Sequence, residues 1–165
     1  MKFSILMAVL LLTLTGVQKN DIKLEVGSVL SAKYVPKKNR KLYLTHSAQL
    51  RPYIERNVAG IKYIIAYEDK SRVIKYISTN DKKFKSADGL QVDSYIEVKG
   101  EQIRAYPGWE VRGPETKDGW ETLIGFDSKI TVLGGENRVN PDQYPPLQFG
   151  QTVKVKIIGF VKGAN

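Results

Sequence analysis

The chain has 165 residues, of which 42% are hydrophobic and 26% charged, with a formal net charge of +9 and a pI near 9.6. That length suits one domain with a proper core, and the balance of apolar and charged residues excludes a disordered chain, a collagen-like repeat and a multi-span membrane protein. The surplus of lysine and arginine draws the protein toward polyanions without naming one.

The first segment has the form of an export signal. Lys2 supplies a positive start, and Phe3 to Val17 form an apolar run interrupted only by Ser4, Thr13, Thr15 and Gly16. The run is shorter than the roughly 20 apolar residues of a transmembrane helix, and Gln18, Lys19, Asn20 and Asp21 end it. No Ala-x-Ala site precedes the polar stretch, so the cut is expected between Gly16 and Lys19, leaving a signal peptide of 1–18 and a domain of 19–165. An uncleaved anchor and a buried N-terminal helix are the alternatives, the second weakened by the lack of a polar face. The chain has no cysteine. It therefore makes no disulfide, no thiolate metal site and no cysteine-linked lipid anchor, a usage that favours a bacterial periplasm or secretion over a eukaryotic secretory route.

Along the domain, short apolar runs around Gly27 between Ile22 and Tyr34 predict a strand leading into the basic loop Pro36-Lys37-Lys38-Asn39-Arg40-Lys41. Leu42 and Leu44 alternate with Tyr43 and Thr45 as a second short strand. Ser47 to Val58 reads as a short helix through Leu50, Tyr53 and Ile54, limited by Pro52, which suits only a first turn. The clearest hairpin spans Gly60 to Ser78, where Ile61, Tyr63, Ile65 and Tyr67 alternate up to a polar break at Asp69-Lys70-Ser71 and the pattern returns from Arg72 to Ile77. The polar loop Thr79 to Gly89 is pinned by Phe84, expected in the core. Gly108-Trp109-Glu110 and Gly119-Trp120-Glu121 flank a turn region, Pro114 to Asp118, and predict a second hairpin whose tryptophans could meet. After Pro141 to Pro146 and Gly150, Val153, Val155 and Ile157 alternate with lysines as a last strand. The phase slips at Ile158-Gly159-Phe160, as a bulge at Gly159 would cause, and Gly163 to Asn165 fray. The fold class that follows is mostly β: an antiparallel sheet forming a small sandwich or open barrel, with at most one or two short helices.

Catalytic signatures are sparse. His46 is the only histidine, so a multi-histidine metal site is excluded and a Ser-His-Asp site would have to be built on it; a turn residue is the simpler reading. There is no Gly-x-Ser-x-Gly elbow, and Gly134-Gly135 runs into Glu136-Asn137 without a phosphate-loop continuation. Asp81, Asp88 and Asp93 lack EF-hand spacing and read as a solvated loop. Glu110 and Glu121 could form a glycosidase-like pair only if the fold sets them at the right separation. No cofactor is implied.

The best functional candidate is the basic run Lys37, Lys38, Arg40 and Lys41, flanked by Tyr34 and Tyr43, with a second cluster at Lys82, Lys83 and Lys85. Mobile ammonium groups grip anions and neighbouring rings stack on sugars or bases. In an exported protein the fitting partners are anionic glycans, lipid head groups or another exported protein, and nucleic acid is disfavoured. A solvated loop that keeps the domain soluble is the plain alternative. Trp109 and Trp120 are the other candidates: exposed, they would be a glycan-stacking platform, and buried, core. The sequence thus leads to an exported, non-enzymatic binding or accessory domain of a bacterial envelope. An inhibitor or immunity-type protein acting on an exported enzyme and a hydrolase with dispersed carboxylates are the alternatives.

Overall fold

The computed structural model describes residues 22–38, 40–45, 49–106, 110–125 and 150–163. The segment 1–18, His46, Trp109, Gly134-Gly135 and Pro141 to Pro146 lie outside the described residues.

The described residues form nine strands: β1 (Lys41–Leu44), β2 (Leu50–Val58), β3 (Ile61–Tyr67), β4 (Ile74–Thr79), β5 (Tyr95–Lys99), β6 (Arg104–Tyr106), β7 (Glu110–Glu115), β8 (Glu121–Gly125) and β9 (Thr152–Gly163). Every pairing between them is antiparallel, in one open sheet ordered β1-β2-β3-β4-β9-β8-β7-β6. The mostly antiparallel β architecture expected from the sequence is present, and the only described helical elements are two 3₁₀ turns, Ala32–Tyr34 and Gly100–Gln102.

The long strand β9 joins the two halves. β8 pairs with it from Lys156 to Val161, while β4 takes Phe160 to Gly163 and β5 takes Thr152 to Lys156. Because β4 and β5 each overlap β8 along β9, both must lie on the edge that β8 leaves free. Between them, Asp93 and Ser94 continue the ladder: the Asp93 N–H donates to the Ile157 carbonyl and the Ile157 N–H to that of Ser94. The expected phase slip is a register shift between Leu123 and Ile124, opposite Gly159 and Ile157, which leaves Ile158 as the extra residue.

The centre of the sheet is buried on both faces. Tyr63, Ile65, Tyr67, Ile77, Ile157 and Phe160 form one core, which Leu30, Phe84 and Trp120 cover; Ala66, Tyr76, Leu123 and Val161 form a second. A strand covered on both faces reads as a near-continuous apolar run, and Tyr63 to Tyr67 does. Phe84 plugs the first core as expected, its ring centroid 4.7 Å from Phe160 and 5.0 Å from Trp120.

Two expectations are corrected. The helix proposed within Ser47 to Val58 is the strand β2. Pro52 is tolerated there because it sits opposite Leu42 of the short strand β1, ahead of the point where the ladder to β3 begins at Tyr53. The strand proposed from Ile22 to Tyr34 is an irregular segment with a single bridge, Val29 to Val73, and the first 3₁₀ turn. A tight turn breaks it: the Ser28 N–H and hydroxyl both donate to the Glu25 carbonyl, so only Gly27, Ser28 and Leu30 bond to the chain entering β4. Strands β5 and β6 carried no reading in the sequence.

Candidate functional site

The residues before and after the basic loop come together on β2. Tyr34 closes the first 3₁₀ turn, and Pro36 follows it. Lys41 opens β1, opposite Tyr53 of β2. Tyr34, Pro36, Lys41, Tyr53, Ile54, Glu55 and Arg56 line a groove of about 290 Å³. The Arg56 guanidinium stands 5.3 Å from the centre of the Tyr34 ring, and the Lys33 ammonium 5.0 Å from it. Such cation–ring contacts hold both partners in place where neither is deeply buried.

The charges of the basic run divide. Arg40 pairs with Asp69, and Lys41 lies 3.7 Å from Glu55. Glu55, the only carboxylate lining the groove among the described residues, also takes Lys62 at 2.8 Å, and that contact, with Lys41 beyond it, holds its carboxyl below the ordinary 4.5. Lys37 and Lys38 are exposed and have no ion-pair partner among the described residues. Tyr43 does not line the groove: its ring meets Tyr53 at 5.8 Å and Tyr76 at 5.3 Å, and with Tyr53 it packs against the second core. Tyr53 and Arg56 complete the groove and were missed in the sequence, because Tyr53-Ile54 followed by Glu55-Arg56-Asn57 shows no period of two and Pro52 resembles a helix start.

Trp120 is core, 6% exposed, stacked on Tyr63 at 6.1 Å and meeting Phe84 edge-on. Of the two readings open to it, the buried one applies, and it leaves the list of surface rings. In the second cluster, Lys82 pairs with Asp93, while Lys83 and Lys85 are exposed. The three aspartates serve separate ends. Asp81 accepts the Lys62 and Lys83 backbone N–H groups, which hold its carboxyl below 3.8. Asp88 accepts the Lys117 N–H, and Asp93 bridges Lys156 and Lys82, whose ammonium groups lower its carboxyl as well. Among the described residues no cluster of three His, Asp or Glu side chains could hold a metal ion.

A second opening lies across the sheet. Glu121 of β8 accepts a hydrogen bond from Arg112 of β7 on one oxygen and from Arg104 of β6, at 2.6 Å, on the other. Arg112 is fully buried and stands directly opposite Arg104, so Glu121 separates two like charges on neighbouring strands. Both Glu121 oxygens are thus taken, and Glu110, at the far end of β7, pairs with Tyr106 while Glu121 faces Glu115 across the strands. The backbone therefore does not set Glu110 and Glu121 opposite each other. Above this ionic triad is a cleft of about 320 Å³ bounded by Leu24 to Val26, the β7–β8 hairpin and the end of β9.

No protein-family profile, no curated protein and no solved structure matches this chain. Among the described residues no helix is long and apolar enough to cross a membrane.

Proposed function

We propose that this protein is an exported, non-enzymatic binding domain of a bacterial envelope and that the groove of Tyr34, Lys41, Tyr53 and Arg56 holds an anionic surface polysaccharide. The observation that carries the reading is the Arg56 guanidinium over the Tyr34 ring in a groove bounded by Lys41 and Tyr53, with Lys37 and Lys38, which have no ion-pair partner among the described residues, following its Pro36 wall. Rings give a sugar a face to stack on, and the cations meet its acidic groups. The net charge of +9 adds long-range attraction that raises the encounter rate with any polyanion.

The test is a titration of fluorescein-labelled polygalacturonate, a carboxylated glycan, with neutral dextran as control. Lys37→Ser/Lys38→Ser/Arg56→Gln is compared with Lys82→Ser/Lys83→Ser/Lys85→Ser, which removes the same number of charges elsewhere. Three exposed contacts at up to about 1 kcal/mol each predict at least tenfold weaker binding for the groove variant. The cluster variant should change little beyond the general charge effect. Equal losses in both variants would show that charge alone acts, and equal binding of dextran would show that the acidic groups are not recognised; either result overturns the reading.

A further inference from the structure

The cleft above the Arg104–Glu121–Arg112 triad has an unusual charge arrangement. Of the charged groups lining it, Glu25 pairs with Lys23, and Arg104 and Glu121 pair with each other. Glu115 and Lys162 remain. Glu115 is exposed, with no hydrogen-bond or ion-pair partner among the described residues. The Lys162 ammonium donates to the Asp118 carbonyl and stands 5.0 Å from the centre of the Trp120 ring; the Asp118 carboxylate is near enough to feel its charge but forms no ion pair with it.

Both groups reach one place. Gly119 has φ +75 and no side chain, and at the point where a Cβ would stand, Glu115 Oε1 is 3.6 Å away and Lys162 Nζ 3.8 Å away. The two charges nevertheless do not pair with each other. The carbonyl bond and the contact with the Trp120 ring hold the ammonium on one side of the gap, while Glu115 occupies the other. Two opposite charges kept apart across an open space match a molecule that carries both charges itself.

We propose that this cleft binds a small zwitterion, a free amino acid or a dipeptide, with the ligand ammonium on Glu115 and its carboxylate on Lys162 and Arg104. The Arg104 side chain is 52% exposed and retains guanidinium N–H groups beyond the one that it gives to Glu121. Fully buried Arg112 anchors Glu121 from below and thereby fixes Arg104 at the rim. The volume of about 320 Å³ is at the lower end for small-molecule sites and suits a ligand of this size. This site shares no residue with the tyrosine groove and stands independently of the polysaccharide reading.

The experiment is isothermal titration of the full chain with L-alanyl-L-alanine, its N-acetyl form, which lacks the ammonium, and its C-terminal amide, which lacks the carboxylate. The unmodified dipeptide should bind, and each capped form should bind at least about tenfold more weakly, the worth of one charge-assisted contact. Glu115→Gln should weaken the dipeptide by a similar factor and abolish discrimination against the acetylated form. Lys162→Met should do the same for the amide. Circular dichroism checks that both variants keep the wild-type fold, which for exposed Glu115 is the expected result. The proposal is overturned if the dipeptide gives no saturable heat, if the capped forms bind equally well, or if Glu115→Gln binds as wild type does.

Discussion

Replacing Glu121 with leucine should destabilise the protein more than replacing Arg112 with methionine, and making both changes should restore most of the loss. Arg112 is fully buried, stands opposite Arg104 and meets Glu121, which is itself mostly buried and bonded to both arginines. Glu121→Leu takes the carboxylate from a buried guanidinium and leaves two positive charges on adjacent strands, a loss of about 3–5 kcal/mol. Arg112→Met leaves Glu121 with Arg104 near the surface, a smaller loss of about 1–2 kcal/mol. In the double variant no buried charge is stranded, and stability should return to within about 1 kcal/mol of wild type, a coupling of at least about 2 kcal/mol. At about 2–4 °C per kcal/mol for a chain of this size, Glu121→Leu should melt roughly 10 °C lower. Urea titration followed by circular dichroism measures all four states of the cycle. Additive losses, or a Glu121→Leu variant as stable as wild type, would refute the view that the three residues act as one ionic unit.

Two further outcomes follow from local geometry. The two-residue turn between β2 and β3 places Ala59 at φ +51 and Gly60 at φ +81, with Val58 paired to Ile61, so both turn residues are left-handed. Asparagine accepts that conformation better than alanine, and Ala59→Asn should add about 0.5–1 kcal/mol in thermal or urea melts; a loss would contradict the turn assignment. Acid should weaken the fold, because the carboxyls of Glu55, Asp81, Asp93 and Glu101 are all lowered, by Lys62, by backbone N–H groups, by Lys156 with Lys82, and by backbone N–H groups including that of Gly150. A lowered folded value gives stability that is complete above the ordinary 3.8 of aspartate and 4.5 of glutamate and disappears as pH falls through the lower folded values. Melting points should therefore drop on acidification below those values, less steeply in Asp93→Asn, and an unchanged melting point down to about pH 2.5 would contradict this.

The parts of the fold that the sequence shows are those where side-chain period and turn chemistry agree. The alternation Ile61, Tyr63, Ile65, Tyr67 and the polar break after it were enough for β3 and β4, and the slip at Ile158-Gly159 marked the bulge in β9. β2 was hidden because Pro52 and three consecutive polar residues mask its alternation, and its place is set by pairing with β1 and β3, which no local pattern records. Half of the basic run was legible as charge. That Asp69 and Glu55 neutralise Arg40 and Lys41, and that Tyr53 and Arg56 complete the groove, depends on contacts between residues distant in sequence. The triad is less visible still: in the sequence Glu121 stands out only as a carboxylate beside a tryptophan, and Arg104 and Arg112 become its partners only through the register of β6, β7 and β8.

Strand β9 is the last of the nine to leave the ribosome, yet it supplies the seam on which β4, β5 and β8 all pair. Until it emerges, β1 to β4 and β6 to β8 are two hairpin sets with no common partner, and the first core lacks Ile157 and Phe160. Closing the sheet thus waits on contacts of long sequence separation, the kind that slow folding. A nascent chain of this design keeps its sheet open until β9 has been made.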